Sequence, residues 1–330
     1  KTTIKYIAVK VYSKIKHPFY DKEYSILKNI HCPSIVNIIG AAEDKNNFYM
    51  EMDFCASGDL SHCLWPNKGT NYFEKVIKTV STQLLLGLKT LHSNGIIHCN
   101  LKPSNIVIDE FGNVKICDFK KALNACEMTM QDIKKNKTAM TPCYTAPELF
   151  SEDGAYSYKT DLWALGCIMY EMAIGQVPFF DEMVNKLINK IIREEVNFSR
   201  SQFNQYSIEF MEVVKKLLEK DPSKRPSWGE IENFPFWGLN DNNNNIQNGN
   251  NSSASYSGNN HVRGYTNNSS KYYSLNSNEA GSNINSKHDS SESSSLLVYN
   301  TKNQKNPNQN QKINQLEVNN EDDYHDPHLN

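Results

Sequence analysis

The sequence predicts an α+β chain in three parts. A small strand-rich segment covers residues 1–55, a larger and mainly helical one covers 56–237, and residues 238–330 form a tail expected to be disordered. Three observations carry this reading. Before residue 55, β-branched and aromatic residues gather in short runs with punctuation between them. From Tyr72 onward, apolar residues recur at helical spacing. Near Leu239 the composition changes abruptly: Asn, Ser and Gln displace the apolar residues that would offset chain entropy.

The elements follow in order. Residues 4–11 (Ile-Lys-Tyr-Ile-Ala-Val-Lys-Val) read as a strand, as do 35–40 and 48–54, with a helix over 20–30 between the first two. Phe73, Val76, Ile77, Val80, Leu84, Leu88 and Leu91 mark one face of a long helix that Asn94-Gly95 ends. Residues 105–108 and 114–117 read as two short strands joined by a hairpin-like turn. The stretch 120–138 is polar and gives no element. Helices follow over 159–174, stopped by Gly175, and over 207–220, with Ser207 as N-cap and Asp221-Pro222 as stop.

Length and composition exclude several classes. The chain has 330 residues, 38% of them apolar, enough for one large domain or two modest ones. A formal net charge of −2 gives no electrostatic case for nucleic acid or an anionic membrane surface as partner. No apolar run approaches the ~18 residues of a membrane span, and the first residues do not resemble a signal peptide. Eight cysteines occur without a Cys-x-x-Cys pair, which favours reduced thiols and a cytoplasmic protein.

Four motifs stand in sequence: Ala8-Val9-Lys10, the octet His98-Cys99-Asn100-Leu101-Lys102-Pro103-Ser104-Asn105, Asp118-Phe119-Lys120, and Ala146-Pro147-Glu148. Asp161-Leu162-Trp163 and Arg225 lie behind them. Their order and spacing resemble the eukaryotic protein kinase superfamily, serine/threonine type, over residues 1–237. Features of the NimA-related branch and of the Unc-51-like and Fused branch are both present. The resemblance implies a bilobal fold, ATP and Mg²⁺ as cofactors, and a protein as substrate or partner.

By the same resemblance, Lys10 would hold the α- and β-phosphates and pair with Glu23. Ala8 and Val107 would cover the adenine from its two sides, Met52 would guard the pocket, and Asp53 to Cys55 would form the hinge. Asn105 and Asp118 would be the metal ligands, with Lys102 at the γ-phosphate. Leu27, Ile38, His98 and Phe119 would stack into the column that joins the lobes. Glu148 would pair with Arg225, and Asp161 would bind the catalytic-loop backbone.

Three departures from the family pattern concern chemistry. Asn100 stands where the family has the aspartate that receives the substrate proton, and an amide cannot take up that proton at neutral pH. Lys120 replaces a glycine, where a Cβ is expected to cost roughly 1–2 kcal/mol if the backbone is left-handed. Cys99 replaces the arginine that would gather a phosphorylated activation segment. The first two changes together make the site two charge units more positive. In addition, only seven residues precede Ala8, too few for a Gly-rich phosphate loop with its two strands. The chain is then either a fragment or has a nucleotide site without a roof.

The expected function is a pseudokinase that binds ATP, with a weakened need for Mg²⁺, and acts as a scaffold or allosteric regulator. The alternatives are an active or weakly active serine/threonine kinase and a nucleotide-free interaction domain.

Overall fold

The computed structural model describes residues 6–15, 21–64, 72–138, 140–199, 201–238 and 295–300. Its elements are, in chain order, β1 (Tyr6–Ser13), α1 (Asp21–Leu27), β2 (Ile38–Glu43), β3 (Asn47–Asp53), α2 (Leu60–Leu64), α3 (Glu74–Ser93), β4 (Ile96–Ile97), β5 (Ile106–Ile108), β6 (Val114–Ile116), β7 (Leu123–Asn124), α4 (Met130–Thr138), α5 (Tyr158–Ile174), α6 (Val184–Arg193), α7 (Ile208–Leu217), α8 (Trp228–Glu232) and β8 (Ser295–Asn300). Single 3₁₀ turns occur at Pro103–Asn105, Pro142–Tyr144, Pro147–Phe150 and Ser201–Gln205.

The small lobe is an antiparallel sheet in the order β2-β3-β1-β8, with α1 packed on it. Strands β2 and β3 are joined by a turn that Asp44 closes: its Oδ1 accepts from the backbone N–H of Asn46 and Asn47, both at 2.7 Å. Alternation along β1 sends Ala8, Lys10 and Tyr12 to one face, all of them buried. Glu23 and Leu27 of α1 are buried too, and the polar members of this group are therefore obliged to find partners.

The large lobe is built around α5. Nearly every side chain of this helix is buried, so its sequence is apolar all round and not on one stripe. Ser157 caps its start by accepting from Lys159 N–H, and Gly175, at φ 75°, ends it in the left-handed region that a glycine adopts without Cβ strain. Gly166 lets α7 approach closely, since a Cβ there would lie 2.9 Å from Leu217 Cβ. Ser207 caps α7 by accepting from Phe210 N–H at 3.1 Å, as its position in the sequence predicts. At the end of the lobe, Trp237 is buried and its Nε1 donates to Ser81 Oγ at 3.0 Å, tying the chain back to α3.

Several elements depart from the sequence reading. Strand β2 is displaced by three residues from the expected 35–40, because Ile35 instead bridges Ile116 of the large lobe. Helix α4 lies inside the polar stretch that gave no element. Thr129 and Asp132 cap it reciprocally, with Thr129 N–H on Asp132 Oδ2 and Asp132 N–H on Thr129 Oγ1, both at 3.1 Å, while Ile133 is its buried anchor. The expectation of disorder across 238–330 does not hold for residues 295–300, which form a strand on β1; residues 239–294 and 301–330 lie outside the described residues.

Candidate active site between the lobes

Three chain segments converge on one polar cluster. Lys10 of β1 places its Nζ 3.0 Å from Glu23 Oε2 and 3.0 Å from Asp118 Oδ1. Glu23 Oε1 also accepts the backbone N–H of Phe119 at 2.8 Å, so α1 is bound to the segment that carries Asp118. Tyr12, two residues beyond Lys10 and on the same face, donates its hydroxyl to Glu23 Oε2. Lys10, Tyr12 and Glu23 are all buried, and the charge-assisted hydrogen bonds among them offset part of the cost of taking these groups out of water. Burial and Glu23 together push the Tyr12 phenol well above its usual range, against the pull of Lys10, which fixes it as a donor.

Asp118 receives a second ammonium. Lys120 Nζ lies 3.8 Å from the same Oδ1, with about a third of its side chain exposed. Burial acts to raise the Asp118 carboxyl, but Lys10 first and Lys120 next outweigh it and hold the group well below the usual carboxylate range. The backbone cost expected at Lys120 is not found there. Positive φ among the described non-glycine residues falls on Asp118 at 61° and Cys99 at 63°, so the strained positions are the aspartate and the residue before Asn100.

The octet forms a rigid loop held from below. Asp161 at the start of α5 accepts the N–H groups of His98 at 2.8 Å and Cys99 at 3.0 Å, and His92 Nε2 lies 2.8 Å from the same carboxylate. His98 Nε2 is 3.0 Å from the Cys117 carbonyl, which makes Nε2 the protonated nitrogen and leaves Nδ1 to accept Asn100 N–H at 3.3 Å. Asn105 Nδ2 donates to the Asn100 carbonyl at 2.8 Å, so the amide orientation presents Oδ1 as its acceptor. Asn100 and Lys102 are both partly accessible, and Asn100 lines a small pocket with Cys99, Leu101, Met140, Thr141 and Tyr144.

The expected adenine-side residues are dispersed along neighbouring segments. Ala8 is the cross-strand partner of Met52, Asp53 ends β3, and Cys55 follows it; Val107 on β5 bridges Asp59 just beyond. Asp53 is held by Lys115 Nζ at 3.1 Å, and burial lifts the Cys55 thiol to about 11. Leu27, His98 and Phe119 are buried with Ile38 half-buried, and the His98 and Phe119 rings meet edge-on at 5.0 Å.

A family model described as the protein kinase domain matches residues 1–237. The chain belongs to the protein kinase family. It is 33% identical over 245 residues to serine/threonine-protein kinase RUNKEL of Arabidopsis thaliana, covering 72% of this chain and 17% of that protein. Serine/threonine-protein kinase fused of Drosophila melanogaster is 33% identical over 241 residues (72% and 29%), and serine/threonine-protein kinase ULK4 of Mus musculus 29% over 260 residues (72% and 20%). The chain thus spans under a third of the length of each of these relatives.

This kinase domain also holds its family's architectural pair. Arg225, buried, donates from Nη1 to Glu148 Oε1 at 2.8 Å and from Nη2 to Oε2 at 2.5 Å. Cys99, where the family's arginine would stand, packs against an apolar cluster of Ile97, Leu123, Ile133, Leu149 and Tyr156 with Met128 and Met140. Burial, with Asp161 adding to it, pushes the Cys99 thiol well up, so it sits there as a neutral group. Sequence reasoning passed over Tyr12, His92 and Lys115. Tyr12 had a usable signal, since a residue two beyond Lys10 on a strand must share its face.

Proposed function

We propose that this kinase-fold protein binds ATP between its lobes and works as a scaffold or allosteric regulator of a protein partner, with little phosphotransfer of its own. The observation that carries the reading is the linked set Lys10–Glu23–Asp118 taken together with Asn100. Lys10, which the family resemblance assigns to phosphate, is paired with Glu23 and Asp118, while the position expected to receive the substrate proton carries an amide. Loss of a general base is typically a ~10²–10⁴-fold effect on rate.

The donor set fits Mg²⁺ in kind, with one carboxylate at Asp118 and one amide oxygen at Asn105. Among the described residues no group of three or more His, Cys, Asp or Glu could hold a metal alone, which suits an ion that takes most of its ligands from phosphate and water. Such an ion would neutralise phosphate charge. Lys120 already supplies positive charge beside Asp118, so the proposal includes nucleotide binding with a relaxed need for Mg²⁺. In this arrangement Lys10 would hold the α- and β-phosphates, Lys102 the γ-phosphate, and Asn100 would orient a hydroxyl without accepting its proton. Ala8, Met52, Asp53, Cys55 and Val107 would border the base.

Among the described residues no helix is long and apolar enough to cross a membrane. The proposal extends to a cytoplasmic setting, where ATP is abundant and thiols such as the buried Cys143 and Cys167 stay reduced.

Thermal stabilisation by ATP and ADP, measured in excess Mg²⁺ and in chelator, tests binding; a radiolabelled phosphotransfer assay on the same protein tests turnover. Stabilisation in both conditions with negligible transfer is expected. Absence of any nucleotide effect would leave the interaction-domain reading, and robust transfer would leave the active-kinase reading. The weakly active reading draws on one specific feature: the Asn100 backbone is held by His98 and Asn105 in an ordered loop, and positioning alone supplies part of the rate of phosphoryl transfer.

A further inference from the structure

Helix α1 has seven residues, too few to be stable alone, so contacts from outside must fix it. Its link to the site runs through Glu23. Oε2 of that residue accepts from Lys10 Nζ at 3.0 Å and from the Tyr12 hydroxyl, while Oε1 accepts from Lys10 Nζ at 3.3 Å and from Phe119 N–H at 2.8 Å. Lys10 is shared, since Asp118 Oδ1 also lies 3.0 Å from its ammonium. In the nucleotide reading, phosphate would draw on the same charge. Of the two bonds to Glu23 that do not depend on Lys10, the one from Phe119 comes from the segment that carries Asp118, and the one from Tyr12 comes from the lysine strand itself.

Tyr12 meets the Lys10–Glu23 pair at two points. Its ring centroid lies 5.6 Å from Lys10 Nζ, within cation–π range, and its hydroxyl reaches Glu23. The residue is buried, so an unpaired hydroxyl there would be costly, and the carboxylate satisfies it. Alternation along β1 fixes the side chain on the face of Lys10, and its cross-strand partner Phe48 meets the ring of Tyr24 on α1 edge-on at 5.6 Å. The sheet therefore grips α1 at two consecutive residues, Glu23 and Tyr24.

We propose that Tyr12 is a positioning residue of the nucleotide site: its hydroxyl holds Glu23, and α1 with it, against the lysine strand even when Lys10 turns to another partner. The effect on nucleotide rests on the reading above; the hold on α1 does not.

Hydrogen–deuterium exchange on the full chain without nucleotide tests the hold. In the wild type, residues 21–27 should exchange at least about tenfold more slowly than a synthetic peptide of the same sequence. Peptide-like rates would overturn the proposal without recourse to any variant. Tyr12→Phe keeps the ring and removes the hydroxyl; exchange over 21–27 should then rise about fivefold or more beyond any change shared with α5. Equal changes in α1 and α5, or none in α1, would overturn it too. Calorimetry with ADP tests the second half, with Tyr206→Phe as comparator, because its hydroxyl is a similar buried donor in the large lobe, to the carbonyls of Tyr72 at 2.8 Å and Ala173 at 2.9 Å. Tyr12→Phe should weaken ADP by about threefold or more and Tyr206→Phe should leave it unchanged. Equal losses in the two variants would assign the effect to general stability and overturn the positioning role, as would undiminished affinity in Tyr12→Phe. If the wild type binds no ADP, the nucleotide reading fails, while the exchange result still decides the hold on α1.

Discussion

If Lys120 relaxes the need for Mg²⁺ as proposed, replacing it should restore that dependence. Its ammonium lies 3.8 Å from Asp118 Oδ1. At an effective dielectric of about 20, two unit charges at that separation interact by roughly 4 kcal/mol. About a third of the Lys120 side chain is exposed, and solvent screening reduces the useful part to about 1–2 kcal/mol. A phosphate entering beside Asp118 would draw on the same charge. Lys120→Gln keeps the Cβ and removes the charge; Lys120→Gly restores the family residue but adds backbone freedom. Both should weaken ADP binding in chelator by roughly 5–30-fold. In excess Mg²⁺ the loss should be much smaller, because the carboxylate freed from Lys120 becomes a better ligand for the ion. Isothermal titration calorimetry in the two conditions gives the ratio directly. Equal affinities of wild type and both variants in chelator would refute the argument, since they would show that Lys120 contributes nothing to phosphate.

Other perturbations probe the same framework. Tyr12→Phe removes a hydrogen bond to a buried carboxylate and should destabilise the domain by about 1.5–3 kcal/mol, read from urea denaturation. Glu148→Gln leaves Arg225 buried without its full partner and should cost about 3–5 kcal/mol, seen as a lowered urea midpoint. Asn100→Asp should raise phosphotransfer if the absent proton acceptor is the main defect, by up to the ~10²–10⁴-fold typical of a general base; no gain in the radiolabelled assay would move the blame to Lys120 or to substrate binding. For Asp118, the folded state favours the ionised form, so the folded pKa lies below the unfolded value of about 3.9. The stability difference between wild type and Asp118→Asn should therefore be constant from pH 7 to about pH 5 and shrink as pH falls below about 3.9, measured by urea titrations across that range.

What could be read in advance depended on how local each signal was. The long α3 and α5 carry their own periodicity and stops, and Ser207 and Gly175 mark ends through the requirements of one residue each. The motif residues declared the fold because their order is a property of the chain. What escaped was of another kind. Helix α4 is polar, with one buried apolar anchor at Ile133, and its signal is the Thr129–Asp132 capping pair and not a hydrophobic stripe. The role of Lys120 was open because a side chain of that length reaches either solvent or the carboxylate two residues back. Only the path of the backbone decides. The strand at 295–300 escaped because a composition averaged over a long tail hides a single short apolar run, and because its partner lies almost three hundred residues away.

The two strained residues link these points. Cys99 and Asp118 both adopt positive φ, a conformation that costs a residue with a Cβ about 1–2 kcal/mol. Each is held there by its neighbours: Cys99 by Asp161 through its N–H, and Asp118 by Lys10 and by Glu23, which grips the next N–H along. Strain of this sort persists only where the surroundings over-determine it. A chain freed from any need to order phosphate and metal would relax it through loss of Lys10, Glu23 or Asp161 at no functional cost. All three remain, paired and buried or nearly so, while the residue that would accept the substrate proton is an amide. The geometry therefore suits the proposed reading, in which a nucleotide would be held between the lobes with little use made of it.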